Sequence, residues 1–132
     1  MAHGDLKPEN ILVTSYDWVF IADINPLKPV EVLDTDLKTY NQYFGYLDNN
    51  QRCYLAPERW IAPPQTVSET AELHPASDVF SAGCVIAEVL CDGLPLFDLA
   101  KLQQYRHQSD SFKPEEVLKK RIHDPILVKF IM

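Results

Sequence analysis

The sequence has few basic residues for its length. Among 132 residues, 12 are Lys or Arg and 19 are Asp or Glu, which gives a formal net charge of −7. Proteins that bind nucleic acid or anionic lipid broadly need a surplus of Lys and Arg to neutralise phosphates. The shortage therefore argues against both classes, although a local basic patch remains at Lys119-Lys120-Arg121.

Cysteines and membrane-length apolar runs are also scarce. The three cysteines, Cys53, Cys84 and Cys91, are odd in number and lack C-x-x-C spacing, so neither a disulfide framework nor a zinc site is indicated, and a reducing, cytosolic setting fits best. The apolar stretch 79–91 is broken by Glu88 and is too short to span a bilayer. The first residues carry no apolar signal-peptide core. We expect no targeting signal within this sequence.

The composition that remains is that of one globular domain, with 46% hydrophobic and 23% charged residues. Residues 11–13 and 19–22 are short apolar runs on either side of a polar turn, which predicts a β-hairpin. Residues 23–39 contain prolines and scattered acids without periodicity, which is typical of a loop. Residues 61–75 contain two adjacent prolines and a Ser/Thr/Glu cluster, which predicts a solvated insertion.

Helical patterns dominate the second half of the chain. Residues 78–90 are apolar in nearly every direction, which predicts a helix that is buried all round. Ser77 is its expected N-cap, and Asp92-Gly93 is its expected stop. Further helices are predicted over residues 99–107 and 115–122 and from Pro125 onwards.

Four polar residues stand around the predicted hairpin at a spacing that suits phosphoryl transfer. Asp5, Lys7 and Asn10 lie in one loop before the first strand, and Asp23 follows the second. Phosphoryl transfer needs a carboxylate that orients the attacking hydroxyl, a cation near the phosphate, and an amide and a carboxylate that hold magnesium. Each residue also has an ordinary alternative, since Asp23 can cap a turn and Lys7 can be a solvated loop charge. The complete set favours the catalytic interpretation.

These residues fall in motifs that resemble those of protein kinases. The run His3-Gly4-Asp5-Leu6-Lys7-Pro8-Glu9-Asn10 is similar to the family's catalytic loop, and Ala56-Pro57-Glu58 is similar to the motif that closes its activation segment. Asp78 and Gly83 match the start of the family's central buried helix, where the aspartate accepts backbone hydrogen bonds from the catalytic loop. The resemblance implies an α+β, protein-kinase-like fold, of which this chain would cover the mainly helical C-lobe, with the N-lobe absent.

The resemblance also implies roles for the four polar residues. Asp5 would be the catalytic base, and Lys7 would contact the transferred phosphate. Asn10 and Asp23 would hold magnesium, and the cofactors would be ATP and Mg²⁺. Because the glycine-rich loop and the phosphate-pairing lysine belong to the N-lobe, we expect the chain by itself to be inactive.

As a domain plan, the resemblance makes residues 1–132 a partial kinase domain that is truncated at both ends. Residues 1–22 would form the catalytic loop and hairpin, 23–60 the activation segment, 61–75 an insertion, and 76–132 the helical C-lobe. His3 would be a packed structural imidazole, and Glu58 would form an ion pair with an arginine beyond this chain. The aromatic residues expected to serve packing or to lie on the surface are Trp18, Trp60, Tyr40, Tyr43, Tyr46 and Tyr54.

Two positions depart from the usual kinase pattern. Gly4 stands where arginine is usual, so the guanidinium that pairs with a phosphate on the activation segment is missing, and switching by phosphorylation of that segment is not expected. The usual Asp-Phe-Gly reads Asp23-Ile24-Asn25, so the magnesium ligand is kept while the aromatic contact and the flexible glycine are lost. Asn25 can still adopt a left-handed conformation.

A narrower resemblance accounts for these departures. The chain is similar to the kinase-like regulatory subunits of the class III phosphatidylinositol 3-kinase complex, the vacuolar protein sorting kinases. Their partners would be the lipid kinase catalytic subunit and its complex members, with a protein substrate and no nucleic acid. Their location would be cytoplasmic and peripheral on endosomal or autophagic membranes, reached through parts absent here. The runs that carry this resemblance are residues 3–5, 13–18, 52–59, 83–88, 94–99 and 102–105.

Two functions remain open at this point. One is a serine/threonine protein kinase, a specificity suggested by Lys7 through the resemblance. The other is a pseudokinase scaffold that binds and regulates the lipid kinase, with nucleotide as a structural ligand. Gly4 and Asn25 favour the scaffold, whereas the four polar residues favour the enzyme.

Overall fold

A β-hairpin follows the N-terminal loop in the computed structural model, which describes residues 2–45, 52–108 and 111–132. Strands β1 (Ile11–Val13) and β2 (Val19–Ile21) pair antiparallel, with Ile11 opposite Ile21. Asp17 adopts a left-handed conformation in the turn, at φ 60°, which Asp tolerates better than most residues. The predicted hairpin is confirmed. It places Asn10 just before the first strand and Asp23 just after the second, at the open end of the hairpin.

The segment after the hairpin contains more regular structure than the sequence predicted. Strand β3 (Val32–Leu33) pairs in parallel with β4 (Trp60–Ile61). Helix α1 (Leu37–Tyr43) begins after Asp36, whose carboxylate accepts the Thr39 N–H at 3.0 Å. The prediction of a loop throughout residues 23–39 is therefore wrong at its end. A two-residue strand has no periodicity of its own, and its partner lies 28 residues away along the chain.

Four further helices follow β4 in the described part of the chain. The longest, α2, begins earlier than predicted, because His74 and not Ser77 is its N-cap. The His74 ring accepts the Ala76 N–H at 3.1 Å, and Pro75 at the first helical position has no N–H that would need an acceptor. Its end matches the prediction, since Gly93 at φ 79° donates to the Glu88 carbonyl at 2.9 Å. The four helices are α2 (Pro75–Leu90), α3 (Leu99–Arg106), α4 (Pro114–Arg121) and α5 (Pro125–Ile131).

Helix α2 is central but is not buried all round, so that prediction is wrong. Val79 and Val89 are each 71% exposed. The buried face instead carries polar groups, among them Ser81 and Glu88. Apolar character on every side of a helix allows burial on every side, but only the neighbouring elements decide which side is covered.

The core connects α2 to the segment that follows the hairpin. Tyr40 of α1 is fully buried, and its ring lies 5.0 Å from that of Trp60 on β4, centroid to centroid. Such aromatic pairs contribute about 0.5–1.5 kcal/mol beyond the area that they bury. On the other side, Leu102 of α3 and Leu118 of α4 are also fully buried. The packing thus holds residues 32–45 and 52–61 on the helical layer.

The structure also bears on the predicted insertion, on the aromatic residues and on membrane-length helices. Residues 63–70 are exposed, as expected of a solvated segment. Trp18 is an exposed surface aromatic, whereas Tyr54 belongs to the core. Tyr46, another predicted packing or surface aromatic, lies outside the described residues. Within the described ranges, no helix combines the length and the apolar character needed to cross a bilayer.

Candidate phosphotransfer site

The loop before β1 is anchored on the first turn of α2. The backbone N–H groups of His3 and Gly4 donate to the two carboxylate oxygens of Asp78, at 2.6 and 2.8 Å. Hydrogen bonds to an ionised acceptor are about twice as strong as neutral ones. The predicted anchoring of the catalytic loop by Asp78 is confirmed, and the loop therefore has a fixed position relative to the core.

The His3 ring links this loop to the end of β2. Its Nε2 lies 2.8 Å from the Ala22 carbonyl, and its Nδ1 accepts the Asp5 N–H at 3.2 Å. A carbonyl can only accept, so Nε2 carries the proton in this arrangement and Nδ1 is the acceptor. Both ring nitrogens are thereby occupied by the backbone, which confirms the expectation of a packed structural imidazole.

Asp5, Lys7 and Asn10 lie together, as the sequence predicted. The Asn10 amide donates from Nδ2 to the Asp5 carbonyl at 2.9 Å and to Asp5 Oδ2 at 3.2 Å. The Lys7 ammonium lies 3.1 Å from the same Oδ2. Asp5 is only 7% exposed, so its carboxylate is held rigidly by these donors. A short 3-10 turn, Pro8–Asn10, brings Asn10 back toward Asp5.

Asp23 reaches the same place through a cation that sequence reasoning missed. The Lys28 ammonium lies 2.5 Å from Asp23 Oδ2 and 2.5 Å from Asp5 Oδ2, and therefore bridges the two carboxylates. The hydrogen bond from Lys28, followed by its charge, lowers the pKa of Asp23. Burial by itself lowers the pKa of Lys28, but the bonds to Asp23 and Asp5 outweigh it and raise that pKa.

The turn after Asp23 explains how Lys28 arrives there. Asp23 is the left-handed residue of this segment, at φ 63°. Asn25, for which we had considered that conformation, instead forms an Asx turn: its side-chain oxygen accepts the Leu27 N–H at 2.9 Å, and its carbonyl accepts the Lys28 N–H at 3.3 Å. The chain therefore folds back, and Lys28 faces the two carboxylates.

The oxygen atoms of Asn10 and Asp23 suit a magnesium ion. Asn10 donates through its amide nitrogen, so its side-chain oxygen is the atom that can ligate a metal. Amide and carboxylate oxygens are hard ligands, and Mg²⁺ is usually bound by one or two carboxylates with substrate phosphates and water. No group of three or more His, Cys, Asp or Glu able to hold a metal occurs in the described part of the chain. At Asp23, the Lys28 ammonium lies on Oδ2, one of the two oxygens that a metal could use.

Arg59 was also missed, and it connects the catalytic loop to the segment after Asp23. Its guanidinium donates to three backbone carbonyls: from Nη1 to Gly4 at 2.5 Å, from Nη2 to Pro29 at 2.7 Å, and from Nε to Val30 at 2.7 Å. The residue is 4% exposed, and burial lowers the pKa of its guanidinium to about 10. No local pattern marks Arg59, because its partners lie 29 to 55 residues away.

Behind the site, the buried residues Tyr54 and Glu88, the latter on α2, form a polar group with the half-buried Arg52. The Tyr54 hydroxyl donates to the Glu88 carboxylate, and the Arg52 guanidinium lies 3.6 Å from Glu88. Burial, and then the contact with Glu88, raises the pKa of Tyr54. Glu58, for which an arginine partner was expected, accepts a hydrogen bond from Ser77 Oγ at 2.7 Å.

Comparison with known proteins agrees with this geometry. The sequence profile of the protein kinase domain matches residues 1–127. The serine/threonine-protein kinase VPS15 of Arabidopsis thaliana is 40% identical over 135 residues, covering 100% of this chain and 9% of the relative. VPS15 of Saccharomyces cerevisiae is 39% identical over 114 residues, covering 83% and 8%. The vps15 kinase of Schizosaccharomyces pombe is 39% identical over 106 residues, covering 80% and 6%.

These matches confirm the resemblance to the vacuolar protein sorting kinases. The chain spans less than a tenth of the length of those relatives. With a profile match over residues 1–127 and a catalytic loop anchored on Asp78, the chain belongs to the protein kinase domain family.

Proposed function

We propose that the chain is part of a serine/threonine protein kinase domain that transfers a phosphoryl group from ATP to a protein hydroxyl. The observation that carries the proposal is the position of Asp5, a buried carboxylate held by Asn10 at 3.2 Å and Lys7 at 3.1 Å. A carboxylate fixed in this way can accept the proton of an attacking hydroxyl. The relatives named serine/threonine-protein kinases support the same reaction.

The roles of the site residues follow from their chemistry. Asp5 orients the acceptor hydroxyl and takes its proton, and Lys7 places a positive charge beside that carboxylate. Asn10 and Asp23 are the proposed ligands of magnesium. ATP would supply the phosphoryl group, and Mg²⁺ held by these two residues would neutralise the charge that develops on it. The residues themselves position the reacting oxygen, and this is the larger part of catalysis in phosphoryl transfer.

The wider setting of the chain is proposed from its resemblance to the vacuolar protein sorting kinases. The chain would contribute the C-lobe part of the domain, with residues 23–60 as activation segment and 61–75 as insertion. It would act within a regulatory subunit of the class III phosphatidylinositol 3-kinase complex, in contact with the lipid kinase catalytic subunit. The location would be cytoplasmic and peripheral on endosomal or autophagic membranes.

A scaffold without phosphotransfer is the second candidate. The Lys28 bridge favours it, because a cation already lies on both Asp5 and Asp23. Gly4 favours it as well, because the residue lacks the charged side chain that is usual before the catalytic aspartate. In this candidate function, the domain regulates the lipid kinase through binding alone.

An experiment on the full-length complex separates the two functions. Phosphoryl transfer from labelled ATP to protein is measured together with lipid kinase activity, for the wild type and for Asp23→Asn. The kinase proposal expects Asp23→Asn to abolish protein phosphorylation. If the wild type phosphorylates no protein and Asp23→Asn leaves lipid kinase activity unchanged, the kinase proposal fails and the scaffold is favoured.

A further inference from the structure

Lys28 occupies a position that no ordinary surface lysine takes. Its side chain is 11% exposed, and its ammonium lies 2.5 Å from one carboxylate oxygen of Asp5 and 2.5 Å from one of Asp23. The two carboxylates differ in environment, since the Asp5 side chain is 6% exposed and the Asp23 side chain is 50% exposed. Lys28 therefore connects a fixed inner carboxylate to an outer one that can exchange its partner with solvent.

The backbone on both sides of Lys28 is held in place. On the N-terminal side, the backbone carbonyl of Asn25 accepts the Lys28 N–H at 3.3 Å. On the C-terminal side, the carbonyls of Pro29 and Val30 are bound by the buried guanidinium of Arg59, at 2.7 Å each. A lysine with a flexible backbone would lose entropy to reach one geometry. Here the fold has already placed its stem, so the bridge is built into the site.

The charges in the site are balanced before any metal binds. Asp5 and Asp23 supply two negative charges, while Lys7 and Lys28 supply two positive charges within 3.1 Å of them. A divalent cation on the Asp23 carboxylate would lie close to the Lys28 ammonium, which occupies Oδ2. Two positive charges at such short range repel each other strongly. The ammonium and the metal therefore weaken each other's binding to Asp23.

We propose that Lys28 is an intramolecular counter-ion of the Asp5 and Asp23 pair and competes with a divalent cation for Asp23. The inference rests on the proposed function in one respect, namely that Asp23 is the metal ligand. Metal binding is then favoured when the Lys28 ammonium withdraws from Asp23, while its bond to the buried Asp5 can persist. The site therefore accepts metal more weakly than the same oxygens of Asn10 and Asp23 would without Lys28.

The test measures the affinity for Mn²⁺, a paramagnetic probe, by electron paramagnetic resonance of the free ion, using the full-length protein alone and with ADP. Lys28→Met is expected to bind Mn²⁺ about tenfold more tightly, the size expected for removing one unit charge from beside a divalent ion in high-dielectric surroundings. Lys28→Arg keeps the charge and is expected to stay near the wild type. Lys119→Met is a matched control, because it removes one lysine from an exposed pair with Glu115 on α4.

Asp23→Asn identifies the site at which competition occurs. In that background, Lys28→Met is expected to give no gain in Mn²⁺ affinity. Lys28→Gln, which keeps a polar side chain, is a second neutral variant for the case that Lys28→Met does not fold. The proposal is overturned if the neutral variants bind Mn²⁺ no more tightly than the wild type, or if their gain persists in Asp23→Asn.

The readout is independent of catalysis. If the neutral variants gain Mn²⁺ affinity but no form of the protein phosphorylates a substrate, the counter-ion inference stands and the kinase proposal fails. If phosphotransfer depends on Asp5 and Asp23 but the Lys28 variants bind Mn²⁺ with the same affinity as the wild type, the kinase proposal stands and the inference fails.

Discussion

Arg59 donates a hydrogen bond from Nη1 to the carbonyl of Gly4 at 2.5 Å, so the residue that follows Ala56-Pro57-Glu58 is fixed to the residue before Asp5. The same guanidinium binds the carbonyls of Pro29 and Val30. The segment after Asp23 is thus connected to the catalytic loop by a side chain that needs no phosphate. This contact accounts for how the site is ordered although Gly4 provides no guanidinium.

Removing the Arg59 guanidinium should loosen this segment. Arg59→Met leaves the buried carbonyl of Gly4 and the half-buried carbonyls of Pro29 and Val30 without their charged donor. We expect a loss of about 2–4 kcal/mol in the free energy of unfolding. The stability of Arg59→Lys should fall between those of the wild type and Arg59→Met, because an ammonium cannot match the planar guanidinium that reaches three carbonyls. Hydrogen exchange of the amides of Val32 and Leu33 measures the local effect. These amides should exchange faster in Arg59→Met than in the wild type.

Arg121→Met is the control for that experiment, because Arg121 is exposed at the end of α4. It should leave both stability and exchange near wild-type values. Unchanged exchange at Val32 and Leu33 in Arg59→Met would show that Arg59 does not hold the segment.

Gly4 should resist substitution by alanine. Its φ is 80°, and an added Cβ would lie 2.5 Å from Leu73 Cδ2. The left-handed conformation costs an alanine about 1–2 kcal/mol, and the contact with Leu73 adds to it. Gly93→Ala is a matched comparison, because Gly93 has φ 79° but no atom within 4 Å of the added Cβ.

Thermal unfolding measures the two glycine variants. Gly4→Ala should lose more stability than Gly93→Ala, and the excess should shrink in the double variant Gly4→Ala with Leu73→Ala. An equal loss in both single variants would mean that Leu73 yields without cost and that only the backbone conformation matters.

Stability should fall at alkaline pH. Burial raises the pKa of Cys53 from 9.0 to about 11, so the folded thiol stays protonated while the unfolded thiol ionises. Between pH 9 and 11 the unfolded state therefore binds fewer protons than the folded state, and rising pH favours unfolding. The Cys53 contribution approaches about 2–3 kcal/mol by pH 11. Cys84 and Tyr54, whose pKa values burial also raises, act in the same direction.

Chemical denaturation at pH 8, 9, 10 and 11 measures this loss. Cys53→Ala lowers stability at every pH through the lost packing, but the further fall between pH 9 and 11 should be smaller than in the wild type. If the fall is as steep in Cys53→Ala, the Cys53 thiol is not its source.

The parts of the site that the sequence predicted are local. Asp5, Lys7 and Asn10 lie within six residues, so one loop and one 3-10 turn suffice to bring them together. The apolar runs around the turn fix the hairpin register, and the register fixes the position of Asp23 after the second strand. Short-range patterns of this kind depend on few tertiary contacts.

The missed features depend on contacts between distant parts of the chain. Lys28 belongs to the site because it contacts Asp5, 23 residues earlier in the chain. Arg59 belongs to it because it donates to Gly4, 55 residues earlier. The parallel pairing of β3 with β4 also joins short segments that carry no periodicity. Val79 and Val89 have the same apolar character as their buried neighbours, and only the arrangement of the surrounding elements leaves them exposed.

The most direct test of the account is protein phosphorylation by the full-length protein with Asp5→Asn. Asparagine keeps the shape of the side chain but cannot accept the proton of the attacking hydroxyl, so the transfer rate should fall by about 10²-fold or more. Asp17→Asn, in the exposed turn of the hairpin, should keep the wild-type rate. A wild-type transfer rate in Asp5→Asn, or no transfer by the wild type, would contradict the account.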